Sequence, residues 1–590
     1  MSLRPSISRP PRSDAGLVVL HGLVVLASAA LLVTGIAIAA DHPDRQWLRA
    51  FEAVLPSGDV WSIHLWAGVV LISVATAYPA YIRATGAKRR IAFDRMRLLA
   101  LRCPGQARRA AMNVAVYWLG FVLLLLQLST GILLYLGWGG QTVTLHYVGA
   151  LGLGAFVLIH VSAQFAYGRS RQLLRIVRPG PVTLPSVEPS LADLVRLGVE
   201  KAERQTPAAR SARLHLHPLT VGGLCLVVGS VTAVSLDNTG RPTLRIAAIE
   251  QADAPLLDGD IDDPVWRLAT PVTVDTHQGA NFSGTGSASV TIRAVHDGTM
   301  AYLAFTWSDP TRSLKHLPLV KKEDGWHLAH TRYDVEDENA YYEDKFAVLL
   351  AEEPTMPAGG SIHLGRQPLS DKPAALSGRG LHYTTDGSIV DVWHWKATRG
   401  GLLGYVDDNY FGGPVDPKPA ESAGQSRYKA GYRTDPGKAF YANNFAHQPP
   451  AGYAGSLQPK RLPLNFAFQQ NAMARIDLDP AKSETSEARW WMTADESQPY
   501  SIEADALIPV GTVIPGILIA GAYTGDRADI RCAARWHAGR WTLELSRRLD
   551  TGSTHDVALR SGVAMWVAAF DHTQTRHTRH MRPVILEVVR

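Results

Sequence analysis

Cysteine is nearly absent from this chain. Cys103, Cys225 and Cys532 are its three, they lie far apart, and none belongs to a CxxC pair. No disulfide framework is expected, and without CxxCH a covalently attached c-type haem is excluded. Charge is also sparse, at 19% of 590 residues, with a net charge of +6. The Lys and Arg gather in particular loops rather than along one face, which argues against nucleic acid as a partner. Beyond about residue 236 no apolar run is long enough to cross a bilayer. The 46% hydrophobic content resembles that of a soluble protein because it averages two unlike halves.

The first half supplies what the second lacks. Five stretches reach the roughly 20 residues of a membrane-spanning helix: Gly16–Ala40, Val60–Ile82, Asn113–Leu136, Val143–Tyr167 and Leu219–Leu236. The first is too long for a signal peptide and has no convincing cleavage site, so it is read as retained. Loop charge then sets direction. Arg4, Arg9 and Arg12 precede the first stretch. Arg83 through Arg109 between the second and third include nine basic residues against Asp94, and Arg169, Arg171, Arg175 and Arg178 follow the fourth. These segments are expected in the cytoplasm of a bacterial inner-membrane, multi-pass protein. The neutral or acidic connections Asp41–Asp59 and Gly137–Thr142 are expected outside. Five crossings from a cytoplasmic N-terminus deliver the rest of the chain to the periplasm.

Four histidines, His21, His64, His146 and His160, fall inside the spans, where a polar ring is costly and by default functional. A single such ring could simply bond a neighbouring helix, but the four are patterned. His146 and His160, fourteen residues apart, return to within roughly 40° of one helix face and stand about 21 Å apart along it. In the topology above, His64 and His146 share the periplasmic depth, and His21 and His160 the cytoplasmic depth. Two bis-histidine b-type haems in a four-helix bundle follow.

This arrangement resembles the membrane cytochrome b subunits of formate dehydrogenase and nickel–iron hydrogenase, over about residues 15–170. The resemblance implies exchange of electrons between quinone and a partner protein, with the quinone near the cytoplasmic haem. Asn113 would then be placed to hydrogen-bond a quinone oxygen; its other reading is an ordinary helix cap.

SLADLVRLGVEKAERQ, at Ser190–Gln205, has apolar spacing that predicts a short surface helix in a linker. From about Leu244 the pattern turns to short alternating runs. SASVTIRAVHDGTMAYLAFTWSD predicts two strands about an Asp-Gly turn, and WHAGRWTLELSRRLD a second hairpin, which together point to an antiparallel β-sandwich. The segment LDGDIDDPVW at Leu257–Trp266 is similar both to sugar-binding modules and to the haem-binding domains of ethylbenzene dehydrogenase and dimethylsulfide dehydrogenase gamma subunits. DVWHWKATR at Asp391–Arg399, followed by GYVDDNYFG, resembles the second of these families. That resemblance implies a haem held by a Met and a Lys. Met356, His363, His382, His394 and Lys396 stand near the motif, and His382 ranks first because it lies just ahead of it. Residues of these types are more often satisfied surface groups than ligands. The tryptophans are either exposed sugar platforms or sandwich core. The terminal His572, His577 and His580 form either a docking surface or a solvated end.

The chain is thus read as multidomain: a transmembrane di-haem cytochrome b part at 1–178, a cytoplasmic linker at 179–215, a fifth spanning helix at 216–240 and an all-β periplasmic domain at 244–590. The expected function is electron transfer between the quinone pool and a periplasmic redox protein such as a c-type cytochrome or oxidoreductase, through two haems and a third in the β-domain. No catalytic residue is expected, although the chain has the make-up of a respiratory oxidoreductase subunit. The other reading makes the C-terminal domain a cofactor-free ligand- or protein-binding module.

Overall fold

A computed structural model describes residues 15–40, 43–51, 54–56, 60–84, 91–92, 94–173, 218–333, 338–352, 383–384, 386–419, 429–446, 453, 455–474 and 478–590. The proposed linker helix, Met356, His363 and His382 lie outside the described residues. The chain separates into two compact units. One comprises residues 1–36, 63–131 and 145–239, the other residues 37–62, 132–144 and 240–590.

The first unit is helical. Its long helices are α1 (Ala15–Ala40), α2 (Val60–Ala84), α3 (Gln106–Tyr135), α4 (Gln141–Leu173) and α5 (Pro218–Thr239). All five are long and apolar enough to cross a membrane. Leu26, Leu125, Leu158 and Val227 are exposed on them, as expected of side chains that meet lipid rather than water. Helices α3 and α4 extend beyond the expected limits, by seven residues at the start of α3 and six at the end of α4. The added turns carry Arg108, Arg109, Arg169 and Arg171. An apolar-run criterion stops at such residues, whereas a helix continues through them because their stems can lie along apolar surface while the charge stays in water.

Small residues bring α5 against α2. Gly229 lies where an added Cβ would stand 3.1 Å from Ser73 Cα, and Gly222 faces the Tyr81 ring. Ser73 and Ser230 hydroxyls bond across the contact at 2.8 Å. Such close approach replaces the hydrophobic driving force that lipid removes.

The second unit is built on twelve strands: β1 (Thr243–Ala248), β2 (Val272–Thr276), β3 (Ala288–His296), β4 (Met300–Ser308), β5 (Lys345–Ala351), β6 (Val390–Lys396), β7 (Asp407–Phe411), β8 (Tyr432–Thr434), β9 (Arg531–His537), β10 (Arg540–Arg548), β11 (Ala564–Phe570) and β12 (Val584–Val588). They run in the order β8-β7-β6-β5-β11-β12-β1-β3-β4-β10-β9, with β2 on β3. Both expected hairpins, β3–β4 and β9–β10, form. The sheet is not wholly antiparallel. Thr243–Ile246 of β1 pair parallel with β12, and Ala247–Ala248 pair parallel with β3. One strand thus joins two half-sheets, and its direction is set by non-local neighbours that no local pattern reveals.

Between the halves lies a core in which Ile292, Phe305 and Trp307 meet Phe346, Val348, Trp393, Trp395 and Trp541. Trp307 stacks on Phe346 at 4.6 Å, and Trp395 meets Trp541 edge-on at 5.0 Å. These tryptophans, with Trp266 and Trp490, are at most 2% exposed; they are core, not surface platforms. The three cysteines are free, as expected.

The LDGDIDDPVW segment is a latch. Glu544 of β10 accepts from the backbone N–H groups of Asp258 (3.0 Å) and Gly259 (2.9 Å) and from Trp266 Nε1 (3.0 Å). Gly259 has φ +83°, and an added Cβ would stand 2.8 Å from the Ala534 carbonyl carbon, so only glycine serves there. Glu544→Ala strands three donors, two of them buried. It is expected to destabilise the second unit by about 3 kcal/mol or more, read as a lowered denaturation midpoint of tryptophan fluorescence in the purified full chain. A loss below about 1 kcal/mol would show that the latch is incidental.

Candidate functional site

His64 on α2 and His146 on α4 face each other, with ring centroids 6.4 Å apart and planes at 79°. Two metal–imidazole bonds of about 2 Å, each extended by half a ring, span about 6.3 Å between centroids. The pair therefore fits two axial ligands of one iron.

The protonation of these rings follows from their neighbours. Thr34 of α1 donates its hydroxyl proton to Ala30 O at 2.6 Å and sits 2.9 Å from His64 Nδ1. Thr130 of α3 donates to Leu126 O at 2.7 Å and sits 2.8 Å from His146 Nδ1. A hydroxyl has one proton to give. With it committed to the helix carbonyl one turn back, each threonine can only accept from the imidazole. Each His therefore carries its proton on Nδ1 and presents a bare Nε2, the tautomer a metal ligand needs.

The residue after each threonine is glycine. An added Cβ at Gly35 would stand 3.3 Å from His64 Cε1, and one at Gly131 3.4 Å from His146 Cε1. The threonine, the glycine and the following isoleucine recur as Thr34-Gly35-Ile36 and Thr130-Gly131-Ile132. Sequence reading passed over this repeat, although comparing the segments opposite each histidine would have found it. Helix α4 is further tied to α3 by Gln127 Nε2, which donates to His146 O at 2.9 Å.

The other two histidines are less enclosed by polar partners. Phe156 stacks on His160 at 5.5 Å and Tyr117 lies 5.6 Å away. His160 Nδ1 is buried without a hydrogen-bond partner. One turn further along α4, Gln164 Nε2 donates to Asn113 Oδ1 (2.5 Å) and to Tyr117 OH (3.2 Å), and Asn113 Nδ2 donates to Tyr117 OH (3.0 Å). Asn113 is thus not a helix cap, since α3 begins at Gln106. It belongs to a polar trio beside His160. His21 sits half-buried on α1.

In the second unit, Lys396 Nζ bonds the Asp407 carboxylate, which Arg527 Nε also meets at 2.5 Å. Burial works against its charge, but Asp407 outweighs it and raises the Lys396 pKa; in this arrangement Lys396 offers no lone pair. Lys345 behaves oppositely. Burial, reinforced by Arg399, pushes its amine well below the usual value. Its Nζ lies 4.0 Å from the centroid of the Phe570 ring and 2.7 Å from Gln574 O. His394 turns away from its tryptophan neighbours and stacks on Phe570 at 5.5 Å, with Nε2 buried and unpartnered. Lys345 and His394 lie on the adjacent strands β5 and β6, where Lys345 pairs with Lys396 and His394 with Ala347.

The terminal histidines form neither a docking surface nor a solvated end. His572 and His580 are buried. His580 Nε2 accepts from Val567 N at 2.9 Å while Nδ1 faces Arg582 O at 2.7 Å, and burial lowers its pKa to about 4. Burial likewise lowers that of His577 to about 4. Both are neutral structural groups.

Apolar spanning helices, facing imidazoles with bare Nε2 atoms and a C-terminal β-sandwich define a multi-pass membrane b-type cytochrome with an appended β-domain. The chain belongs to the ethylbenzene dehydrogenase family, whose sequence model matches residues 263–582; residues 12–179 match that of prokaryotic cytochrome b561. No curated protein matches the chain. Similar solved structures include a family 9 carbohydrate-binding module from Caldicellulosiruptor kristjanssonii in complex with glucose, at 8% identity and TM-score 0.20, covering 59% of this chain and 97% of that one. Another is a putative carbohydrate-binding protein from Bacteroides uniformis, at 9% identity and TM-score 0.22, covering 59% and 100%. Likenesses this distant carry no argument about this chain.

Thr130→Val and Thr34→Val keep side-chain shape but remove the acceptor at Nδ1. Each is expected to raise the midpoint potential of a b-type haem, on the order of tens of millivolts, with the protein still folded. Redox titration of the purified protein that finds both variants unshifted would remove the role assigned to these hydroxyls.

Proposed function

We propose that the protein carries electrons between quinone in the membrane and a redox protein in the periplasm. The observation that carries this reading is the His64–His146 pair at 6.4 Å, each ring held with Nε2 free by a threonine on a third or fourth helix. His64 and His146 would hold one haem b, and His21 and His160 a second. When bound, each haem supplies a one-electron carrier. The residues of the chain do the rest. Thr34 and Thr130 raise the basicity of their imidazoles and so favour the oxidised iron, whereas His160, with an unpartnered Nδ1, lacks that support. The two sites are therefore unequal, with the His64–His146 site tuned to the lower potential.

Quinone is assigned to the end of the bundle bearing His160. There Asn113, Tyr117 and Gln164 provide both donors and acceptors within one hydrogen-bonded group, the chemistry a quinone carbonyl and a quinol hydroxyl require. The C-terminal domain is assigned to the periplasm. What supports this is the arginine count of the loops and the fact that connections 37–62 and 132–144 share a compact unit with the β-domain. A third haem in that domain is supported by its family and by the buried His394, whose Nε2 has no partner, near the Lys345 amine that burial pushes well below its usual range. A haem-to-protein ratio of three favours it, and a ratio of two favours a cofactor-free docking module.

His146→Ala and His160→Ala should each remove one b-type haem, and different ones, as read by redox-resolved absorbance of the purified chain. Retention of full haem absorbance in the double variant would refute the assignment. For orientation, a reporter active only in the periplasm should work when fused after Arg590 and fail when fused at Arg97; the reverse outcome inverts the direction of the relay.

A further inference from the structure

We propose that the β-domain binds a calcium ion between Asp391, Asp408 and Asp556. Asp391 lies on β6 and Asp408 on the adjacent β7, within the two motifs DVWHWK and YVDDNYF, and Asp556 lies in the connection after β10. One carboxylate oxygen from each falls within 4.8 Å of the others. The inference is independent of the haem assignments.

Clustered acids alone do not make a site, but the state of their oxygens points to an ion. Asp391 Oδ2 accepts from Val557 N at 3.1 Å and meets Arg547 at 3.2 Å, while Oδ1 has no partner. Asp408 Oδ1 accepts from Asn409 N at 2.9 Å, while Oδ2 has none. Asp556 Oδ2 meets Arg547 at 2.8 Å, while Oδ1 has none. Each carboxylate thus has one oxygen committed and one left over. Asp391 and Asp408 are fully buried, so bulk solvent does not reach the second oxygen.

Asp435 and Asp529 stand beside them, Asp435 against Asp556 and Asp529 against Asp408, carboxyl facing carboxyl. Arg547 is the guanidinium that bridges the group, at 3.9 Å from Asp529. Five carboxyl groups share one guanidinium in a low-dielectric interior, where every negative charge left unpaired is strongly unfavourable. A cation on the side facing away from Arg547 removes that deficit. Zinc and other softer metals are disfavoured, because the donors are all oxygen with neither Cys nor His among them. Irregularly disposed, mostly dry carboxylates suit calcium, which accepts six to eight oxygens in flexible geometry. Magnesium is less suited, since it demands an octahedron and keeps its waters.

The test uses the full-length protein purified in detergent. Elemental analysis before and after exposure to EGTA should find about one calcium ion per chain, lost on chelation. Calcium removal should lower the midpoint of thermal unfolding, followed by tryptophan fluorescence, by at least about 3 °C. Calcium chloride should restore it, and equal magnesium chloride should not. Asp408→Asn should weaken calcium binding at least about tenfold while leaving the absorbance of the membrane haems unchanged. Absence of stoichiometric calcium, with no calcium-dependent shift in the wild-type midpoint, overturns the proposal even if the variant does not fold. Equal restoration by magnesium, or unweakened binding in Asp408→Asn, overturns it as well.

Discussion

An imidazole can ligate a metal only through a nitrogen that has kept its lone pair, and in this bundle two threonine hydroxyls decide which nitrogen that is. The chain of dependence is short. Ala30 O and Leu126 O take the hydroxyl protons, the hydroxyl lone pairs then take the Nδ1 protons, and Nε2 is left bare. Because the threonines sit on α1 and α3 and the histidines on α2 and α4, orienting either ring requires two helices in register. The glycine after each threonine lets the ring approach the helix closely. The four-helix packing and the redox chemistry are in this way one constraint.

The β-domain solves a different problem, that of burying many charges. Its aromatic core is conventional: Trp307, Trp395 and Trp541 interlock between two half-sheets. Around it lie Lys396 with Asp407, Arg399 with Glu343, Lys315 with Glu484, and Arg547 with its carboxylates. Buried ion pairs add little net stability against apolar packing, yet removing one partner is severe. Such a network specifies a single arrangement more than it strengthens it. The latch from Glu544 to the LDGDIDDPVW segment shows the same economy: one carboxylate satisfies three donors and holds the entry segment to β10.

Much of this was legible locally. A spanning helix is a matter of apolar length, so the five crossings could be read from the sequence, with the largest errors where Arg108 and Arg171 interrupt the apolar run but not the helix. The β3–β4 and β9–β10 hairpins were readable because an Asp-Gly or Ala-Gly turn joins strands that alternate. Asn113 was noticed as a polar residue in an apolar helix. Its partner Gln164 was not, because it is fifty-one residues away and nothing in either segment announces the other.

What the sequence determined by itself was periodicity and composition: which stretches are helical and apolar, that four histidines fall within them, and where strands begin. Each of these is a property of a few neighbouring residues. Only the tertiary structure decided which hydroxyl meets which ring nitrogen, that Lys396 is held by Asp407 while burial pushes the Lys345 amine the other way, that β1 runs parallel to both its neighbours, and that His572 and His580 are buried. Those facts depend on contacts between residues distant along the chain. Burial then turns small differences in position into large differences in charge state, because the low dielectric strengthens every pairing and penalises every charge left unpaired.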